Sequence, residues 1–473
     1  MVVPGSLLLL ELAVVVLWLS TGAPGSVEVR RPGLDRPEVE GDGSGWAGPL
    51  TADLTHGDGK PATGIPGSWP WFRGTNRDNL VEDKTPLARQ WPVGGPKELW
   101  SVELGEGHAG PVVRDGRLWL IDYHRDDDRR KSGDVVRCLS LADGKEIWRY
   151  SYGPVDVRRI HGMSRTVPAL AGDAVVTLGP KCHVTCLDAA KGERRWTIDL
   201  VRQYRAVVPQ WYAGQCPLVD GDRVILAPGG PDALLLAVDL KTGEPAWQKP
   251  TPNRLRWKMT HSSIVPMEFR GRRMYVYCAS GGVVGVSAES GEVLWETPDW
   301  QIALATVPAP VCLPDGRIFL SGGYNAGAMM LQLEEQGGGL GVKTLYRLKA
   351  RQFGATQHTP IFHQGHLFGV REDKELVCLE PDKGQVVWRS GAAHRFGIGP
   401  YLIADGLILV MNDEGVLTLA EATTAGYKEL ARAKVLDGHD SWGPMVLVAG
   451  RLLVRDTTRM VCLDLRKENA PKP

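Results

Sequence analysis

Histidine, arginine and aromatic side chains recur in short segments of this chain, most of them lying ahead of a proline that opens a β-rich run. The segments are Arg158-Arg159-Ile160-His161, Gln210-Trp211-Tyr212, Arg256-Trp257-Lys258-Met259-Thr260-His261, Gln357-His358, His394-Arg395-Phe396 and His439-Asp440-Ser441-Trp442. Imidazole, guanidinium and indole groups converging on one mouth can hold a carboxylate, a sugar or a peptide by hydrogen bonds and stacking. The binding candidates are therefore Arg158, His161, Trp211, Trp257, His261, His358, His394, Arg395, His439 and Trp442. One histidine per segment supplies no local metal-ligand spacing. His363-Gln364-Gly365-His366 spans a predicted hairpin turn, which does not favour a metal pair. Asp126-Asp127-Asp128 lacks the full spacing of a calcium loop and sits among Arg125, Arg129, Arg130 and Lys131, as a solvated insertion would. Gly281-Gly282 and Gly285 are followed by strand residues, not by the helix a phosphate loop needs. Spacing supports no Ser-His-Asp set and no carboxylate pair. No catalytic residue, cofactor-binding residue or metal ligand is assigned.

Loops gather on one mouth only if the elements beneath them repeat. In residues 237–247 two short β-type runs flank Gly243, and Trp247 follows that glycine by four positions. The same step recurs at Gly144/Trp148, Gly192/Trp196, Gly291/Trp295 and Gly384/Trp388, with Trp100 one repeat upstream. Degenerate copies fall at Leu345-Tyr346 and residues 427–430. An independent marker is a strand-opening proline at Pro111, Pro168, Pro217, Pro266, Pro310, Pro360, Pro400 and Pro444, and it gives the same count of eight. Asp-Gly pairs such as Asp115-Gly116 and Asp220-Gly221 then signal hairpins, whose two central residues need positive φ. Four short strands in about 45 residues make a propeller blade. The last unit ends at residues 461–465 without a Trp strand, and the first Trp strand, around Trp100, has no strands before it. The two termini thus complete one blade and seal the ring. The expected fold is an all-β, eight-bladed propeller of four-stranded blades, with Trp100, Trp148, Trp196, Trp247, Trp295 and Trp388 docking blade on blade.

Residues 237–247 match at every specified position the A-x-D-x-x-T-G-x-x-x-W docking motif of pyrroloquinoline-quinone propellers. Other copies are partial: Asp188, Gly192 and Trp196 fit, while Ser140, Ser287 and Glu380 replace the aspartate. Residues 69–466 more closely resemble the quinoprotein-like propellers abundant in planctomycete bacteria. The shared features are the entry segment Trp69-Pro70-Trp71-Phe72-Arg73-Gly74-Thr75-Asn76-Arg77-Asp78, residues 427–432 and residues 461–466. That group resembles in turn the propeller lipoprotein of the outer-membrane barrel-assembly machine. The wider resemblance includes alcohol dehydrogenases, many of which bind the quinone beside an adjacent cysteine pair, with calcium held by carboxylate and amide oxygens. None of the 8 cysteines here is adjacent to another, and no acidic or amide set matches those ligands by motif. Pyrroloquinoline quinone with calcium is thus the alternative cofactor expectation, and the leading one is no cofactor.

The chain holds 473 residues with 55 Lys+Arg against 55 Asp+Glu, a balance that gives no electrostatic footprint for nucleic acid or an anionic membrane. The apolar run at residues 7–19 is shorter than the ~20 residues of a membrane span and is followed by Thr21-Gly22-Ala23. Residues 1–23 are therefore expected to be a signal peptide, with an uncleaved anchor as the alternative, and the mature chain is expected to have no membrane span. Residues 24–68 are Pro/Gly-rich with little apolar content and are expected to form a disordered linker. The propeller follows at 69–466, and 467–473 form a tail. Cys138, Cys186, Cys378 and Cys462 share one slot of the repeat, as small buried residues do, and do not form a disulfide framework. The overall expectation is a monomeric, periplasmic or secreted, non-enzymatic scaffold that binds an envelope protein or polymer. The alternatives are a quinone- and calcium-dependent alcohol or sugar oxidoreductase and an envelope polysaccharide hydrolase or lyase.

Overall fold

A computed structural model describes residues 50–158, 164–249 and 258–467. The expected signal peptide, most of the expected linker and tail, His161 and Trp257 lie outside those residues. The described chain forms eight sheets, each built on four antiparallel strands that are sequential in seven of them, and two of the sheets gain a fifth strand. It is an eight-bladed β-propeller. Blade 1 contains Val112–Arg114, Arg117–His124, Gly133–Ser140 and Glu146–Gly153, from the channel outward. Blades 2 to 7 repeat the plan. In blade 8 the strands Val446–Val448, Arg451–Arg455 and Arg459–Asp464 are completed by Lys97–Glu103, so the two ends of the ring share one sheet. That shared sheet leaves no unpaired edge at the junction.

Local chemistry accounts for the hairpins. Asp115 and Gly116 have φ of 50° and 70°, the mirror-image turn that matches strand twist. The second Asp-Gly differs from expectation, because Arg223 pairs with Asp220 and the turn residues are Gly221, at φ 61°, and Asp222.

The Gly-to-Trp step joins neighbouring blades. Trp196 donates from Nε1 to the Leu240 carbonyl of blade 3 at 2.9 Å, and its ring lies over Gly243, where an added Cβ would come within 2.8 Å of the ring carbon Cγ. Trp100, Trp148 and Trp247 make the equivalent bond to Leu141, Ala189 and Ala288, and Trp388 bonds to Thr423. In the degenerate blade 5, Tyr346 takes the tryptophan's part and its hydroxyl donates to the Pro381 carbonyl at 2.7 Å. Trp295 is the exception: blade 5 runs through a long hairpin, Gly327–Gln336 to Gly339–Leu348, and the indole turns to Met274 Sδ in its own blade, at 3.3 Å. Across the sheet from each tryptophan stands a small residue, since the indole covers that position. Cys138 pairs with Trp148, Cys186 with Trp196, Cys378 with Trp388, Cys462 with Trp100 and Ala237 with Trp247. All 8 cysteines are free.

The segment before the ring departs from expectation. Ordered sequence was expected to begin near Trp69, but Thr51–His56 is already a strand, paired antiparallel with Glu146–Gly153 as the outer edge of blade 1. Its side chains are mostly exposed, and Leu54 alone packs inward, beside Gly192. Backbone pairing places it, and that leaves no hydrophobic signature to read.

The chain then crosses the hairpin-turn face and enters the channel. Trp69 pairs with Val113 of blade 1, and Trp71 donates to Leu170 of blade 2 at 2.8 Å. Arg77 donates to Val219 of blade 3 at 2.7 Å, and buried Arg73 to Pro360 at the start of blade 6 at 3.0 Å. Leu80–Val81 pairs in parallel with Tyr401–Ala404, the innermost strand of blade 7. The entry segment thus closes one end of the channel. No helix among the described residues is long and apolar enough to cross a membrane.

Candidate functional site

The loops that descend to the opening prolines ring the other end of the channel, and they are bonded to each other. His108 N–H donates to Ser164 at 2.7 Å, Cys216 N–H to Ser263 Oγ at 3.0 Å, His261 N–H to Thr306 at 3.0 Å and Ala309 N–H to Thr359 Oγ1 at 2.8 Å. Tyr401 OH donates to the His358 carbonyl at 3.0 Å, and buried Arg455 of blade 8 returns to the Ala109 carbonyl at 3.2 Å. These links hold the mouth as a rigid belt.

Inside it lies a cavity of about 320 Å³. Phe72 of the entry segment is its floor, and every blade contributes to its wall. Blade 1 supplies His108, blade 2 Arg165, blade 3 Trp211 and Gly214, and blade 4 His261. Blade 5 supplies Tyr324, blade 6 Gln357 and His358, blade 7 Ile398 and blade 8 Trp442. Burial sets the charge states. His261 is pushed down to about 3 by desolvation, with the Arg165 charge adding to the effect and a backbone hydrogen bond at Gln210 opposing it. His358 is pushed down to about 4, again mainly by desolvation. Both imidazoles are neutral at physiological pH. Arg165 is lowered only to about 10 by burial and keeps its charge. Trp442 is fixed by its Nε1 bond to Asp413 Oδ1 at 2.8 Å and lies against His108, ring centroids 5.1 Å apart.

Of the ten residues singled out from the sequence, the structure brings four together at this cavity: Trp211, His261, His358 and Trp442. Four others lie elsewhere. Arg158 is exposed and its N–H donates to the Tyr212 hydroxyl. His394 sits at the outer strands, with Nδ1 3.0 Å from Glu429 and its ring 5.0 Å from Tyr427. Arg395 is exposed and bridges to Glu375 through the backbone, and His439 is exposed beside Asp440 at 3.2 Å. Distance from the proline does not separate these from the residues that line the cavity: His439 stands five positions before its proline, as His261 does, and His394 six, as Trp211 does, so the path of each loop decides.

The signal that was missed is positional. His108, Arg165, Gly214, Ser263, Val307 and Gln357 each stand three residues before an opening proline, and all of them line the cavity. Tyr324 carries no such signal, because it reaches the mouth from a turn within blade 5. The remaining candidates add no site. His363 and His366 face each other across a tight hairpin, Asp128 caps the short 3₁₀ turn Arg129–Lys131, and no group of three potential metal ligands occurs among the described residues.

The family described as outer membrane protein assembly factor BamB matches residues 131–390 and 331–442, more than half of the sequence. The chain belongs to that family. BamB of Burkholderia pseudomallei is 25% identical over 210 residues, 43% of this chain and 48% of that protein. The 1-butanol dehydrogenase (quinone) of Thauera butanivorans is 28% identical over 180 residues, 35% of this chain and 27% of its own length. The chain therefore spans half or less of these relatives. The crystal structure of BamB from Moraxella catarrhalis matches with a TM-score of 0.54 at 15% identity, covering 78% of this chain and 99% of that one, which shows the shared fold.

A quinone with calcium is the cofactor the dehydrogenase relatives raise. The described residues of the cavity wall do not fit that pair: none of them is a carboxylate that could neutralise a divalent cation, and Cys216 is the only sulfur among them, so they bring no vicinal cysteines to a bound ring. The described lining residues likewise include no pair of carboxylates of the kind glycoside hydrolysis uses.

Proposed function

We propose that this chain is a binding propeller of the cell envelope, which holds a protein or polymer partner on the face where the eight opening loops meet and acts by binding, not turnover. One observation carries the reading: a rigid, hydrogen-bonded mouth in which two indoles, a phenol, three imidazoles and a guanidinium converge, with no carboxylate among the described lining residues. Indole, phenol and guanidinium groups are the side chains that dominate binding hot spots. Membership of a family described as an assembly factor supports a partner-holding role and an envelope location.

The test is photo-crosslinking in the native cells, with the crosslinking side chain at Tyr324 on the loop face or at Asp222 on the hairpin face. The expected result is a discrete adduct from the Tyr324 position, lost when Trp442 is changed to Ala. Adducts from the Asp222 position alone would overturn the assignment of the face. Calcium-dependent stabilisation of the purified chain by the quinone would restore the oxidoreductase reading.

A further inference from the structure

We infer that the central cavity binds a single sugar ring carrying a carboxylate, a hexuronate, as the deepest element of what this face recognises. The inference rests on the binding reading above and names the chemistry at its centre.

Charge comes first. Among the described residues Arg165 is the one permanently charged side chain of the wall, and no aspartate or glutamate among them lines the space with it. Behind the wall, Asp413 is committed to Trp442 Nε1 at 2.8 Å, the Ile398 N–H at 2.9 Å and Lys374 at 3.5 Å, and Glu372, near Tyr324, accepts from the Asn325 N–H at 3.2 Å. A ligand that enters this space meets the Arg165 guanidinium in a desolvated setting, where a carboxylate on a guanidinium is favoured.

The second element is shape. Trp211, Tyr324 and Trp442 come from blades 3, 5 and 8, so gaps of two, three and three blades separate them around the ring of eight. With Phe72 beneath, they form an aromatic cage. Two of the three rings are held there against backbone preference: Trp211 and Tyr324 have φ of 63° and 58°, and Tyr212 follows at 71°. Bulky L-residues avoid that region, and where the fold holds them in it the strain clusters at ligand clamps. An aromatic cage alone would also suit a quaternary ammonium ion. The Arg165 charge excludes one.

Polar groups complete the match. Neutral His261 and His358 each use one ring nitrogen in a backbone hydrogen bond, at Gln210 and Trp442, which leaves the other as an acceptor for a ligand hydroxyl, and Gln357 and Thr356 add further polar groups. His261 Nδ1 is buried without a hydrogen-bond partner, against Gly214, where an added Cβ would come within 2.6 Å. A cavity of about 320 Å³ lies at the small end of ligand pockets, which run from about 300 to 1,000 Å³, and so takes one ring. Because Phe72 closes the floor, the ring enters from the loop face as a free sugar or a chain end and does not thread through.

Calorimetric titration of the purified full chain with glucuronate, glucose and inorganic phosphate tests this. Glucuronate is expected to bind saturably at one site, glucose at least tenfold more weakly, and phosphate without saturation. Arg165→Gln is expected to weaken glucuronate by about thirtyfold or more, the loss typical of removing one partner of a buried charge pair. Should that variant fail to fold, Trp211→Ala at the rim carries the test, with an expected loss of about tenfold. Equal binding of glucose overturns the role of charge, and equal binding of phosphate overturns the sugar. Absence of saturable glucuronate binding sinks the inference outright, while loop-face crosslinks would still uphold partner binding. Glucuronate binding without crosslinks would do the reverse.

Discussion

Replacing Gly243 by alanine puts two separable strains on the structure. Gly243 has φ 76°, and a Cβ there meets Trp196 Cγ at 2.8 Å and Cδ2 at 2.9 Å. Gly221, in a neighbouring hairpin of the same blade, has φ 61° with nothing within 4 Å of an added Cβ. Gly221→Ala therefore reports backbone strain alone, about 1–2 kcal/mol. Gly243→Ala adds overpacking against a buried indole, a further ~1–3 kcal/mol, because the ring is pinned by its bond to Leu240 and cannot retreat freely. The difference between the two variants measures the docking contact. Denaturant unfolding followed by fluorescence and circular dichroism gives both midpoints, with equal slopes as the check that the denatured state is unchanged. A double-mutant cycle with Trp196→Ala sharpens the result, since removing the indole removes the clash and the two losses must fall short of additive. Equal destabilisation by the two alanines, or additive losses in the cycle, would refute the argument that the repeat's glycine is there to receive the preceding blade's tryptophan.

Four further outcomes are expected. Asp134 is raised to about 7 chiefly by desolvation, so the stability its neutral form contributes is complete below its ordinary value of 3.8 and is lost as pH rises through about 7; Asp134→Asn flattens that decline in thermal midpoint. His261 and His358 act with the opposite slope, because the unfolded chain takes up protons from 6.5 downward while the native rings resist to about 3 and 4; melting of His261→Gln at pH 4 to 7 shows a shallower acid loss than wild type. Arg73→Ala unpins the channel floor by removing donors to Pro360 and Asp78, costing about 1.5–3 kcal/mol and raising amide exchange across the entry segment. Burial raises the Cys186 thiol to about 12, with the other thiols raised in the same way, so a thiol reagent labels few or none in the native chain and all 8 after unfolding.

The blades were legible in the sequence because their signals are local. A glycine, a tryptophan four residues later and an opening proline each do their work within one hairpin or against the next copy, so the period alone specifies eight units and their closure. The cysteine slot follows from the same register, since whatever stands opposite the indole must be small. Strand Thr51–His56 escaped because an added edge strand needs only backbone pairing, and its exposed side chains leave no alternation to read. At the cavity, composition alone misled: His394 has the right chemistry but sits against Glu429 of an outer strand, and His439 is exposed beside Asp440. His108 and Arg165 reach the axis because each stands three residues from its proline, and Tyr324 arrives from a turn inside a blade. The sequence by itself determined the repeat, its docking and its count, all set by contacts between neighbouring units. The tertiary structure decided which side chains meet, because loops from eight blades converge only once the ring is closed and Phe72 has sealed its floor.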